Sequence, residues 1–264
     1  MATLTFMNHT IFDHGASSKL GQVLALNGIR KPLLCTDRGL VGLGMVDTLV
    51  GNLGNDAALT IFDGTPENPT QVAVEDAVAQ YLEAGCDGVV ALGGGSSMDL
   101  AKAVALAVTH EGDLIDYTAG VGGAGKIGQV APLIAIPTTS GTGSEVSSGA
   151  VIIMKNGEKL ILASRELVPR TAICDPSLTL GLPPLLTAAT GMDAMTHCVE
   201  ALLSPQVNPP AEAVACDGIE RGIRDGHLLQ AVKDGKNEDA RWHMMMAATE
   251  GAMAFSKGLG AVHS

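Results

Sequence analysis

The sequence predicts an α/β domain built on a parallel sheet, residues 1–181, followed by an all-α domain, residues 182–264. Three observations predict it. Short apolar runs alternate with helix-period stretches as far as Cys174, the pattern of strands joined by helical crossovers that cover both faces of a sheet. After Leu182-Pro183-Pro184 only helix-period patterns remain. A length of 264 residues also suits two domains at roughly 150 residues each.

Taken in order, Pro32–Thr36 reads as a buried strand that ends in Asp37. A helical pattern from about Thr70 to Ala84 leads through Gly85-Cys86-Asp87-Gly88 into a strand at Val89–Leu92. Gly93-Gly94-Gly95 breaks that strand, and Asp99–Thr109 reads as a helix. Pro132–Ile136 is a further strand, followed by a loop of glycine, serine and threonine. Val151–Met154 and Thr171–Cys174 read as shorter strands on either side of a polar turn at Asn156-Gly157. Three helices are then expected at 185–203, 211–232 and 238–256. Proline and glycine punctuate them at Ser204-Pro205, Asn208-Pro209-Pro210 and Asp234-Gly235.

Composition narrows the function. Hydrophobic residues make up 46% but aromatics only 3%, so the core is built from Ala, Val, Leu, Ile and Met. A net charge of −12 argues against nucleic acid or an anionic membrane as partner. It leaves room for an anionic cofactor, because backbone N–H groups and helix N-termini bind phosphate without basic side chains. Five widely spaced cysteines with no CxxC pair indicate reduced thiols in the cytoplasm. No apolar run approaches the ~20 residues of a membrane span, and the N-terminus has no signal-peptide pattern.

Two loops carry cofactor chemistry. Gly93-Gly94-Gly95-Ser96-Ser97-Met98-Asp99 follows a strand and opens a helix, which suits a phosphate cradle: glycines admit the backbone and the helix dipole favours negative charge. It is neither GxGxxG nor a Walker A loop. Pro137–Glu145 ends the next strand with hydroxyls at Thr138, Thr139, Ser140, Thr142 and Ser144. Ligands of parallel sheets bind beyond the carboxyl ends of the strands, so both loops point to one nucleotide site. Asp37, at a third strand end, is placed to accept hydrogen bonds from ribose hydroxyls and to repel a 2′-phosphate, favouring NAD over NADP.

A metal is the second theme. Asp193 and His197 stand four apart, which on a helix puts carboxylate and imidazole on one face. His263 is a third candidate ligand, beside Gly258 and Gly260. The alternative for Asp193 and His197 is a solvated helix pair. His9, His14, His110, His227 and His243 read as structural or surface residues without a partner at ligand spacing.

Together these motifs resemble the iron-containing (group III) alcohol dehydrogenase family. The matching segments are Cys35-Thr36-Asp37, Glu67–Thr70, Gly93–Asp99, Pro137–Glu145, Cys174-Asp175-Pro176, Gly191–His197 and Gly258–His263, in family order along almost the whole chain. The resemblance implies a dehydroquinate-synthase-like fold: a Rossmann-like N-terminal domain and a helical metal-binding domain, with metal and nicotinamide meeting between them. It implies that Asp37 and Asn68 hold the adenosine end, and that Gly94, Gly95 and Ser96 hold the pyrophosphate. Thr138, Thr139, Thr142 and Ser144 would line the pyrophosphate and nicotinamide ribose, with Lys159 and Leu178 as further cofactor contacts. Asp193, His197 and His263 would hold Fe²⁺, with Zn²⁺ as the alternative ion. The implied activity is hydride transfer between a small primary alcohol and NAD, in a homodimer or higher homo-oligomer. Segments Asn8–Gly15 and Asn208–Gly218 most resemble the members that oxidise 4-hydroxybutyrate. The family continues beyond the position of Ser264, with another histidine one helical turn after the third ligand and a fourth ligand further on. The helical domain therefore reads as incomplete at its C-terminus. Two other readings follow: an NAD-binding but catalytically incomplete chain, or a dehydroquinate-synthase-type lyase using the same metal and NAD.

Overall fold

The computed structural model describes residues 2–5, 7–51, 53, 59–260 and 262–263. In chain order the strands are β1 (Ala2–Thr5), β2 (His9–Phe12), β3 (Pro32–Cys35), β4 (Thr60–Phe62), β5 (Gly88–Gly93), β6 (Leu133–Pro137), β7 (Gly149–Ile153), β8 (Lys159–Ala163) and β9 (Thr171–Cys174). The helices are α1 (Leu20–Leu26), α2 (Arg38–Gly42), α3 (Met45–Gly51), α4 (Gln71–Ala84), α5 (Gly95–Ala107), α6 (Pro184–Leu203), α7 (Pro209–Ile219), α8 (His227–Lys233) and α9 (Glu238–Ala254).

Seven strands form one sheet in the order β1-β2-β9-β6-β5-β3-β4. All neighbours are parallel except the antiparallel pair β1–β2. Every residue of β3, β5, β6 and β9 is buried, as central strands between two helical layers require. The two-residue period sorts their side chains: Leu33, Val89 and Leu133 face one core, Leu34, Val90 and Ile134 the other. From β3 the chain runs to β4 on one side and then crosses to β5 on the other. That reversal opens a crevice beyond the carboxyl ends of β3 and β5, where ligands of such sheets bind.

Several elements depart from the sequence reading. Helix α5 starts at Gly95, four residues before the expected Asp99, because the glycine loop itself forms the first turn behind an extended Gly94. The turn at Asn156-Gly157 joins β7 to β8 in an antiparallel hairpin, and Thr171–Cys174 joins the main sheet instead. Strands β1, β2, β4 and β8 and helices α1 to α3 have no counterpart in the expected elements.

Beyond Cys174 no strand occurs among the described residues. Helix α6 enters on a proline, which loses nothing at a position whose N–H is unpaired. The single helix expected at 211–232 is two, because residues 220–224 take a π-turn and Gly226 adopts φ +78° before α8. Side chains of Asn208 and Asn237 cap α7 and α9 by accepting from Ala211 and Ala240 N–H. Helix α9 is buried on almost all sides, and its Met and Ala residues fill the space between α6, α7, α8 and the sheet. No helix among the described residues is long and apolar enough to cross a membrane.

Candidate active site

A cleft of about 610 Å³ opens at the crevice between β3 and β5. Asp37 to Gly39, Asp63 to Glu67 and Gly94 to Ser97 line it. Asp37 caps α2 by accepting the Leu40 N–H at 3.0 Å, and the exposed Arg38 beside it faces the same cleft. Gly93 adopts φ +149°, and Ser96 donates its hydroxyl to the Glu67 carbonyl. A Cβ on Gly95 would lie 2.7 Å from Thr142 Cγ2, so the first loop fits against the second only as glycine. Gly94 faces Thr139, and the Thr138 N–H donates to the Gly93 carbonyl at 3.0 Å.

The structure thus brings Asp37, Gly94, Gly95, Ser96, Thr138, Thr139 and Thr142 to one region. The buried Ser140 hydroxyl, on the same loop, has no hydrogen-bond partner among the described atoms. A polar group orphaned in that way suits a bound ligand. Asn68 accepts from Lys159 Nζ at 3.2 Å, joining those two predicted contacts at the surface. Leu178 packs against the aliphatic core of Leu34 and Val90. The Ser144 hydroxyl is fully engaged inward: it donates to Asp99 Oδ1 at 2.9 Å and accepts from Lys102 Nζ at 2.8 Å.

Lys102 is a residue the sequence reading missed. It is wholly buried, and its ammonium also donates to the Ser147 and Gly149 carbonyls, each at 2.8 Å. Burial pushes its pKa down to about 8, while Asp99 and Glu145 pull it back. Asp99 itself is raised by burial, against the pull of Lys102, and accepts the Val151 N–H at 2.9 Å. These two side chains of α5 bind the first loop to the exit of the second.

The second loop then reaches the helices. A Cβ on Gly141 would lie 2.9 Å from Thr190 Cβ of α6, and Gly143, at φ +60°, rests on Ala248 and Ala252 of α9. Thr249 of α9 donates to Glu145 Oε1 at 3.0 Å.

Asp193 and His197 project from α6 as their spacing predicts, and His263 joins them from the far end of the chain. His197 Nε2 lies 3.6 Å and His263 Nε2 3.3 Å from Asp193 Oδ1. The two imidazole centroids are 4.4 Å apart, and Phe255 covers His197 edge-on at 4.5 Å. Burial holds the His197 pKa down, against Asp193 and with His263, which favours the neutral ring that ligates metal. For a tetrahedral ion bound at ~2.1 Å, donor atoms stand about 3.4 Å apart. The observed spacings match that, and two imidazoles with a carboxylate suit a first-row divalent ion, so the residues fit a metal. Glu200, also missed by the sequence reading, accepts from the far side of His263, with Oε2 2.5 Å from Nδ1.

His227 and His243, read as partnerless, meet Asp239 in a second cluster. Their rings stack at 4.0 Å, and His243 stands four residues after Asp239. Arg221 Nη1 lies 3.0 Å from His243 Nδ1 and can only donate, so that nitrogen accepts and the neutral ring keeps its proton on Nε2. The Asp239-facing nitrogen of His243 therefore offers no lone pair.

Residues 8–176 match the family model described as iron-containing alcohol dehydrogenase, and residues 187–264 match that of the Fe-containing alcohol dehydrogenase family, C-terminal. A 4-hydroxybutyrate dehydrogenase of Cupriavidus necator is 53% identical over all of this chain and 69% of its own length. A 1,3-propanediol dehydrogenase of Klebsiella pneumoniae is 39% identical over 97% of this chain and 66% of its own. Among solved structures, a 1,3-propanediol oxidoreductase superposes with a TM-score of 0.88 at 38% identity, over 95% of this chain and 65% of its own. A sulfoacetaldehyde reductase of Bifidobacterium kashiwanohense, in complex with NAD⁺, superposes at 0.87 and 32% identity, over 94% and 65%. The chain thus spans about two thirds of the length of each of these proteins.

Proposed function

The chain belongs to the iron-containing alcohol dehydrogenase family, and from that premise we propose that it transfers hydride between a small primary alcohol and NAD beside a divalent iron held by Asp193, His197 and His263. One observation carries the reading. The loop Pro137–Glu145 touches both the glycine loop that lines the cleft and the two helices that flank the carboxylate–imidazole cluster. A single segment of nine residues thereby ties a dinucleotide-shaped crevice to a metal-shaped donor set.

In this reading the backbone N–H groups of Gly94 to Ser96, at the start of α5, bind the diphosphate. Asp37 accepts from the adenosine ribose hydroxyls and opposes a 2′-phosphate. Asn68 and Lys159 close the adenosine end as a bonded pair, and Thr138, Thr139 and Thr142 line the path toward the nicotinamide. A bound iron supplies Lewis acidity toward the alcohol oxygen. The chain's own part is to fix the nicotinamide against that oxygen through the second loop. The substrate proposed is 4-hydroxybutyrate, which the 53% identical relative is named for.

Calorimetric titration with NADH and NADPH, together with NADH formation from 4-hydroxybutyrate and from 1,3-propanediol after loading with Fe²⁺, tests this function. NADH is expected to bind at least tenfold more tightly, with the difference narrowed in Asp37→Gly. Equal affinity for NADPH removes Asp37 from its role.

A further inference from the structure

We propose that Glu200 is a positioning residue that locks the His263 imidazole in the tautomer able to ligate metal, an inference that rests on the ligand set assigned above. Glu200 lies on α6 one turn beyond His197, and it is only 3% exposed. Its carboxylate stands behind His263, outside the trio of donor atoms. Oε2 is 2.5 Å from His263 Nδ1, while Oε1 accepts the backbone N–H groups of Val262 and His263.

An ionised carboxylate offers lone pairs only, so each nitrogen facing it must bring a proton. Two of the three are backbone N–H groups, and the third is Nδ1. With the ring hydrogen on Nδ1, the neutral imidazole turns a bare lone pair outward at Nε2. That lone pair faces Asp193 Oδ1 at 3.3 Å, with no hydrogen of the neutral ring between them. Two acceptors held face to face repel, and a cation between them relieves the repulsion.

Remove the carboxylate and the balance reverses. The ring then gains by placing its hydrogen on Nε2 and donating to Asp193, which satisfies both groups and blocks the lone pair. Glu200 thus opposes a self-satisfied, metal-free arrangement. Its two backbone contacts hold the segment of Val262 and His263 in place for the same purpose. Outer partners of ligating histidines typically contribute about 10–100-fold in metal affinity.

The test is calorimetric titration of the chelator-treated protein with Co²⁺, alongside ¹⁵N spectra of the metal-free parent and NADH titration as a control on folding. In the parent the His263 ring is expected to carry its hydrogen on Nδ1; a ring protonated on Nε2 overturns the proposal without any variant. Glu200→Leu is expected to weaken Co²⁺ by about 10–100-fold with NADH affinity unchanged, while Glu200→Gln, whose amide oxygen accepts from Nδ1, recovers part of it. The double variant Glu200→Leu/His263→Ala should bind no more weakly than His263→Ala alone, since Glu200 acts only through that ring. Additive losses overturn this. Parent-like Co²⁺ binding by Glu200→Leu, when His263→Ala has lost it, sinks the role of Glu200 alone. Parent-like binding by His263→Ala sinks the ligand assignment and this inference together.

Discussion

Replacing Lys102 by Met keeps most of the side-chain volume and deletes the ammonium at the junction of the two loops. The carbonyls of Ser147 and Gly149 and the hydroxyl of Ser144 then lose their donor in a dry interior. A buried acceptor left alone costs about 1–3 kcal/mol. Asp99 also loses its cation and must be buried uncompensated or take up a proton. These losses overlap, since they share one group; Lys102 and Asp99 are joined through the Ser144 hydroxyl, and removing one of two such buried opposite charges costs about 3–5 kcal/mol in total, as for a buried ion pair. Urea unfolding at pH 7, where the parent ammonium is largely charged, should show a loss of that size. The loop that Lys102 fastens should also bind cofactor less well. Re-ordering one freed backbone residue costs about 1–2 kcal/mol, so the NADH dissociation constant should rise roughly tenfold. Lys102→Arg, which keeps the charge but not the compact shape, should bind NADH more tightly than Lys102→Met. Unchanged urea midpoint and NADH affinity in Lys102→Met would refute the reasoning, because they would mean that the buried contacts hold nothing in place.

Two further outcomes are expected. Gly95→Val places a Cβ 2.7 Å from Thr142 Cγ2; overpacking costs about 1–3 kcal/mol, so NADH binding should weaken tenfold or more while helical circular dichroism is kept. NADH binding equal to the parent would make the loop a mere turn. Glu250→Gln reads a pH dependence: burial first, then the hydrogen bond to Asp217, raises the Glu250 pKa to about 9 from 4.5. The folded chain therefore holds a proton that the unfolded chain releases between those values. Its stabilising share is complete below about pH 4.5 and is lost as pH rises through 9, at a slope of up to about 1.4 kcal/mol per pH unit. His243, lowered chiefly by burial, works with the opposite sign near its own titration. The difference between Glu250→Gln and the parent should isolate the glutamate, with the variant gaining on the parent as pH rises from 5 to 9. A pH-independent difference would place the Glu250 pKa near its ordinary value.

How far the site was legible depended on how local its signals are. Asp193 and His197 could be paired from spacing alone, because one helical turn converts four residues into one face. Both glycine loops could be placed at strand ends, because apolar runs cut short by glycine leave little choice. His263 could be named as a candidate, but only the family resemblance joined it to the other two; seventy residues separate it from Asp193, and no periodicity spans that distance. Glu200 was hidden for the same reason, since its partners are more than sixty residues away. Lys102 was hidden differently. It stands in an Ala-rich helix where a lysine reads as solvated surface, and only the packing of β7 against α5 shows that it is buried. The split between α7 and α8 was readable in Gly226, a glycine that takes positive φ immediately before α8. His243 was readable too, four residues after Asp239. What spacing could not supply was Arg221, the donor that sets the ring's tautomer.

The two histidine clusters of the helical half show what separates a ligand set from a lookalike. Both contain two imidazoles and one carboxylate within a few ångströms, and both have a histidine four residues after an aspartate. In one, the group behind an imidazole is a carboxylate, which demands the hydrogen on the rear nitrogen and frees the front one. In the other it is a guanidinium, which supplies a hydrogen to the rear nitrogen and forces the ring's own hydrogen to the front. The charge behind the ring thus decides whether its front carries a lone pair or a proton. Ligand type and spacing, which a sequence can suggest, are the same in both. The sign of the residue behind, which only the fold brings into place, makes one cluster fit for a metal and leaves a proton in the way of one in the other.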